Sequence, residues 1–75
     1  MSEEKEFEIR TYGFCELALL YFPDLMKKSA SNNLSRWIYN SERLLQELRS
    51  AEWKERTKLL TPRQVEIITN HFGKP

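Results

Sequence analysis

Hydrophobic residues recur at a spacing of three or four along most of this chain, which is the period of an amphipathic α-helix. The clearest stripe comprises Ala30, Leu34, Trp37 and Ile38, at positions i, i+4, i+7 and i+8. The pattern therefore predicts a mainly α fold, a small helical domain of about four helices. The predicted helices span residues 14–21, 30–39, 42–50 and 62–72.

Polar residues that favour helix ends set the boundaries of these elements. Ser29 and Ser41 are predicted N-caps, because a serine hydroxyl accepts a hydrogen bond from a free backbone N–H of the first turn. The Thr-Pro-Arg-Gln sequence that begins at Thr61 predicts a capping box with Gln64, and its proline suits the first helical position. Gly73 follows the last apolar residue of that helix and is expected to end it.

Two segments without helical spacing predict a short β-ribbon. Residues 7–12 alternate between apolar and polar side chains, which is the period of a strand. Residues 51–60 are expected to return in extended form beside them, anchored by Trp53 and Leu59. The predicted two-stranded ribbon joins residues near 7–12 to residues near 56–60.

Length and composition indicate one small domain. The 75 residues are 40% hydrophobic and 31% charged, a balance typical of a globular chain. We expect a flexible acidic tail over residues 1–6 and a single helical domain over residues 7–75. The acidic start does not resemble a signal peptide, and the longest apolar run, Leu17–Phe22, is far shorter than the ~20 residues of a membrane span. We expect a cytoplasmic protein with no membrane partner.

Catalysis and metal binding need groups that this sequence does not combine. Its single cysteine and single histidine, Cys15 and His71, are interpreted as a small packed residue and a helix-end partner. A structural zinc site takes about four cysteine or histidine ligands. The two glycines cannot form a glycine-rich phosphate loop. We therefore expect no enzymatic activity, no cofactor, no metal and no small-molecule substrate.

The charge distribution raises the question of nucleic-acid binding. Residues 1–26 carry a net charge of −4, whereas residues 27–75 carry +5. Such asymmetry is typical of a basic face for nucleic acid, and equally of a solvated surface with an acidic tip. The Glu-Leu-Ala-x-x-Tyr sequence from Glu16, followed by a polar helix, has the order of a helix-turn-helix segment. The predicted connection, from Tyr21 to Ala30, is longer than the usual three or four residues.

Candidate DNA-binding residues lie on the predicted second helix and just before it. Lys27 and Lys28 suit contacts with phosphates, and asparagine and arginine side chains pair with adenine and guanine respectively. Trp37, on the apolar stripe of the same helix, is expected in the core. The residues expected on the exposed face are Ser31, Asn32, Asn33, Ser35, Arg36 and Tyr39. The alternative interpretation is that these polar residues are helix caps and the ordinary outer face of a surface helix.

Several motifs together resemble a known family. They are Arg-Thr-Tyr-Gly from Arg10, Glu-Leu-Ala-x-x-Tyr-Phe-Pro-Asp from Glu16, and Leu-Thr-Pro-Arg-Gln-Val from Leu60. The chain resembles a family of short bacterial proteins known as a domain of unknown function, and is similar to small bacterial helix-turn-helix-like proteins. The resemblance implies a small turn residue followed by an aromatic one after the third helix, and Glu52 stands in the place of the small residue.

Two functions follow as hypotheses. The first is a non-catalytic, regulatory helix-turn-helix-like domain that binds double-stranded DNA. The second is a protein–protein interaction or assembly module that binds another protein, or itself as a homodimer. For the second function the candidate partner-binding residue is Trp53, because an exposed tryptophan in a charged segment is typical of a protein interface.

Overall fold

A computed structural model describes residues 7–54 and 58–75 of the chain. Over these residues it contains four helices and a two-stranded antiparallel sheet, which confirms the predicted mainly α fold. In chain order the elements are β1 (Tyr12–Gly13), α1 (Phe14–Tyr21), α2 (Lys27–Tyr39), α3 (Glu42–Ser50), β2 (Leu59–Leu60) and α4 (Pro62–Phe72). The predicted acidic tail at 1–6 lies outside the described residues.

One hydrophobic core joins all four helices and the ribbon. Helix α1 packs mainly against α2, α2 also packs against α3, and α3 packs against α4. The buried apolar residues are Tyr12, Leu17, Ala18, Ala30, Leu34, Ile38, Leu44, Leu48, Trp53, Leu60, Val65 and Ile68. Because so few side chains fill this core, each large one contributes a substantial share of the buried apolar area.

Two of the predicted helix starts are confirmed in detail. The Ser41 hydroxyl accepts a hydrogen bond from the Leu44 N–H at 3.3 Å. The Thr61 hydroxyl accepts from the Gln64 N–H at 3.2 Å, while the Gln64 side-chain oxygen accepts from the Thr61 N–H at 3.1 Å. This reciprocal pair is the predicted capping box, and it satisfies two backbone donors that a helix start otherwise leaves free.

The start of α2 differs from the prediction. The helix begins at Lys27 with Met26 as its N-cap, so Ser29 lies inside the first turn. A turn closed by the Leu25 N–H and the Phe22 carbonyl, at 3.2 Å, precedes it, and the Ala30 N–H already donates to the Met26 carbonyl at 2.8 Å. The connection between α1 and α2 is therefore five residues long, closer to a helix-turn-helix connection than the sequence predicted.

The ribbon is shorter than predicted and its anchor is different. Tyr12 pairs with Leu60 and Gly13 with Leu59, so β1 takes only the last residue of the predicted strand over 7–12. Leu60 is fully buried, whereas the predicted anchor Leu59 points outward and is exposed. Positions 56 and 57 of the predicted second strand lie outside the described residues.

The end of α3 is closed by backbone hydrogen bonds around a residue of positive φ. The Glu52 N–H donates to the Arg49 carbonyl at 3.0 Å, and the Trp53 N–H donates to the Leu48 carbonyl at 2.9 Å. These two bonds form a Schellman motif, in which the residue after the cap adopts a left-handed conformation. That residue is Glu52, with a φ of 68°. The motif turns Trp53 back onto the buried Leu48.

Candidate nucleic-acid interface

Helix α2 has two opposite faces that differ sharply in chemistry. The inner stripe, Ala30, Leu34 and Ile38, is fully buried. The outer stripe comprises Lys28, Asn32 and Arg36, which are all exposed. Both stripes have i, i+4, i+8 spacing and are displaced from each other by two residues, about half a turn, so the core fixes which residues the helix presents outward.

The structure divides the predicted DNA-binding residues into two groups. Lys27, Lys28, Asn32, Arg36 and Tyr39 are exposed, as a surface role requires. The expectation that all six face residues would be exposed is wrong for three of them, which are partly buried at the sides of the helix: Ser31, Asn33 and Ser35.

Ser31 belongs to the packing between α1 and α2. Its hydroxyl donates a hydrogen bond to the sulfur of Cys15 at 2.9 Å, and both side chains are partly buried. Position 31 lies only about 60° around the helix from Leu34 of the inner stripe, so its side chain is on the side of α2 that meets α1. We therefore remove Ser31 from the candidate interface.

The first turn of α2 concentrates positive charge where a helix already carries it. Lys27 and Lys28 are the first two helical residues, the N-cap Met26 offers no capping side chain, and the first turn contains no acidic residue. The free backbone N–H groups and the helix dipole make this end partly positive even without the lysines. The sequence predicted both lysines just before the helix, whereas the structure has them inside its first turn.

Helix α2 and the residues that directly adjoin it, 25–41, contain no carboxylate. Between Asp24 and Glu42 the chain carries Lys27, Lys28 and Arg36 and no acidic residue. The outer stripe therefore has no neighbour on its own helix that could neutralise its charge. A surface with this composition attracts anions, and phosphate groups in particular.

Arg10 shows the opposite situation, a cation that the protein itself has neutralised. It lines an open groove of about 780 Å³ with Phe7, Tyr12 and Leu20. Its guanidinium pairs with Glu16 at 3.1 Å and lies 3.7 Å from the centre of the Tyr12 ring. The hydrogen bond between the two groups raises the pKa of Arg10 and lowers the pKa of Glu16. We therefore do not include this groove in the interface.

Trp37 is not the core residue that the sequence predicted. It is 37% exposed, and it packs at the edge of an aromatic cluster with Tyr21, Phe22 and Phe72. The centres of the Phe22 and Phe72 rings each lie 4.8 Å from that of Trp37. The cluster joins the ends of α1 and α4 to α2, and the Tyr21 hydroxyl donates to the Gly73 carbonyl. Ile38, the next residue of the predicted stripe, is fully buried as expected.

The burial of Trp53 fits one of its two predicted roles, the anchor of residues 51–60, and contradicts the other, an exposed protein interface. It is only 5% exposed, so the hypothesis that it forms an exposed protein interface is wrong. The cause is the Schellman motif, which directs the residue after Glu52 toward the core. Within the described part of the chain its buried indole N–H meets no hydrogen-bond acceptor.

The residues considered for catalysis have structural partners. Cys15 contacts Ser31, and His71 lies 3.3 Å from a carboxylate oxygen of Glu47, which links α4 to α3. Residues 7–54 and 58–75 contain no group of three or more side chains that could hold a metal ion. No helix in the same residues is long and apolar enough to cross a membrane.

These features define a small, mainly α domain whose second helix presents a basic and polar outer face. The chain belongs to the family described as Domain of unknown function (DUF4248), whose model matches residues 8–75. The predicted resemblance to such a family is thereby confirmed, while the likeness to helix-turn-helix proteins stays a prediction. Comparisons with curated proteins and with solved structures found no match.

Proposed function

We propose that this protein is a non-catalytic domain that binds double-stranded DNA through α2. In this proposal the helix start holds backbone phosphates and the outer stripe faces the major groove. The observation that carries the proposal is the pair Lys27 and Lys28 in an uncapped first turn without an acidic residue. Lysine side chains and free N–H groups are the two kinds of donor that proteins use for DNA phosphates.

The two lysines are unfavourable for the free protein. A cation near a helix N-terminus opposes the dipole, by typically 0.3–1 kcal/mol for an exposed group. A favoured capping residue, Ser29, lies only two residues after Lys27, yet the helix begins before it and leaves the two lysines in its first turn. A bound phosphate reverses the sign of this effect, since it is attracted by both lysines and by the helix end. Sites that break a local stability rule are where function is expected.

The test is a salt titration of binding to duplex DNA with wild-type protein and the Lys27→Gln/Lys28→Gln double variant. Each phosphate contact contributes about −0.9 to the slope of log affinity against log salt, so the variant should lose about two units of slope. The same variant should be slightly more stable to urea, because two unfavourable cations have left the first turn. Opposite changes in binding and stability are the expected signature.

The matched control is Lys58→Gln/Lys74→Gln, which removes the same charge from two exposed positions outside α2. A general charge effect would lower binding equally in both double variants and would contradict the proposal. Wild-type protein that fails to bind any duplex at low salt would also refute it, because phosphate contacts alone give non-specific dissociation constants on the order of 10⁻⁴ to 10⁻⁶ M.

A protein-interaction function is the second candidate, with a second copy of this chain as the partner. The observation that favours it is the exposure of two large apolar side chains of α2 and its N-cap, Met26 at 79% and Trp37 at 37%. Sedimentation velocity across a wide concentration range tests it. A dimer that is weakened by Met26→Gln would support this function, and a monomer at all concentrations would exclude it.

A further inference from the structure

We infer that Asn32 and Arg36 are the specificity-determining residues of the α2 interface, and that they select an adenine and a guanine in the major groove. This inference rests on the proposed DNA binding and adds to it the sequence class of the target. A phosphate-binding helix start gives affinity without sequence preference. Preference requires side chains that reach base edges, and the outer stripe provides two of suitable chemistry.

The two side chains have the position that base reading requires. Both lie on the outer stripe, directly opposite the buried inner stripe, and both are exposed. They are one turn apart, which is a rise of about 6 Å along the helix axis. Lys28 lies one turn before Asn32 on the same stripe. When Lys28 contacts a phosphate at the helix start, Asn32 and Arg36 therefore lie one and two turns further along the helix, where they can face the bases. A major groove about 12 Å wide accommodates this spacing.

Neither side chain is engaged elsewhere in the part of the chain that the structure describes. No ion pair or side-chain hydrogen bond involves Asn32 or Arg36 within residues 7–54 and 58–75. Arg10, in contrast, is held by Glu16, by the Thr11 carbonyl at 2.7 Å and by the Tyr12 ring. The donors of Arg36 are therefore available to a ligand without first breaking a contact inside the protein.

The chemistry of the two side chains identifies the bases. The asparagine amide has one acceptor and one donor group, which match N6 and N7 of adenine. The arginine fork carries donors only, which match O6 and N7 of guanine. Successive base pairs are about 3.4 Å apart along the duplex, so a 6 Å separation corresponds to about two steps. The expected target contains an adenine and a guanine separated by about one base pair.

Selection from a random duplex library, followed by affinity measurement on single-base variants, tests the inference. Wild-type protein should enrich an adenine and a guanine at this spacing, with a loss of about 5- to 150-fold on replacing either base. Asn32→Ala should abolish discrimination at the adenine only, and Arg36→Ala at the guanine only. The matched controls are Asn70→Ala and Arg63→Ala, exposed residues of α4 that should leave both preferences unchanged.

The outcomes separate this inference from the proposal beneath it. Salt-dependent binding of wild-type protein without any base preference overturns the inference and leaves DNA binding in place. A preference that survives both Asn32→Ala and Arg36→Ala also overturns it, because other residues must then read the bases. Absence of all duplex binding refutes the proposed function, and the inference falls with it. Circular dichroism of each variant shows that lost discrimination does not arise from unfolding.

Discussion

Replacing Glu52 with glycine should stabilise the protein, although most substitutions destabilise. Glu52 has a φ of 68° because the Schellman motif at the end of α3 requires a left-handed residue there. A residue with a Cβ occupies that conformation at a cost of roughly 1–2 kcal/mol. Glycine avoids the clash but loses more backbone entropy on folding, by about 0.5–1 kcal/mol.

The difference of these two effects predicts a net gain of about 0.5–1 kcal/mol. For a domain of this size, 1 kcal/mol shifts the melting temperature by roughly 4–8 °C, so the expected increase is about 2–8 °C. The assay is urea unfolding followed by tryptophan fluorescence, with thermal melting in parallel. The m-value should stay constant, because the surface exposed on unfolding does not change.

Glu52→Ala is the control that isolates the backbone effect. It removes the carboxylate, which lies beside the negative end of α3 and is slightly unfavourable there, but it keeps the Cβ. The gain of Glu52→Gly over Glu52→Ala therefore measures the cost of the left-handed conformation. If the two variants are equally stable, the reasoning from φ is refuted and any gain comes from the charge.

Three further predictions concern the helix ends and one titrating side chain. Thr61→Ala should destabilise by about 1 kcal/mol and Thr61→Ser by much less, since only the alanine removes the hydroxyl that caps α4; urea unfolding measures both. Gly73→Ala should cost roughly 1–3 kcal/mol, because φ is 88° and ψ is 164°, a region for glycine alone. The added methyl group meets no atom within 4 Å, so the whole cost comes from the backbone conformation. Burial raises the pKa of Tyr21 from its ordinary value near 10 to about 12, so the native state favours the neutral phenol. The contribution of the neutral Tyr21 phenol to stability is complete below about pH 10 and is lost as the pH rises toward 12. Because phenylalanine has no proton to lose, Tyr21→Phe should show a smaller alkaline decline in the free energy of unfolding.

Signals that act within one turn of helix were sufficient to predict part of this fold. The capping hydroxyls of Ser41 and Thr61 bond backbone donors three residues ahead, so local sequence determines them. The inner stripe of α2 likewise follows from its period alone. The start of α2 was missed because Lys27 and Lys28 are already helical ahead of Ser29, and the helix follows directly on the turn closed by Phe22 and Leu25.

Features that depend on long-range partners were not accessible from the sequence. The alternation over 7–12 indicated an extended chain, yet only Tyr12 of that segment pairs in the ladder. The extent of the ladder depends on its distant partners, Leu59 and Leu60, which the alternation does not reveal. Trp53 lies in a segment without periodicity, and its burial depends on the left-handed Glu52. The basic helix start was missed with the boundary of α2: once the helix begins at Lys27, Lys28 joins Asn32 and Arg36 on one stripe.

The chain breaks a rule of helix stability at two places, and the two are expected to have different meanings. Glu52 is strained at the end of α3, and Lys27 and Lys28 oppose the dipole at the start of α2. Both Glu52→Gly and the double lysine variant should therefore raise stability. Only the lysine variant should weaken DNA binding, because only that site faces the proposed ligand. Equal binding by all three proteins would show that the lysines are a tolerated imperfection, like Glu52, and would remove the main support for the interface.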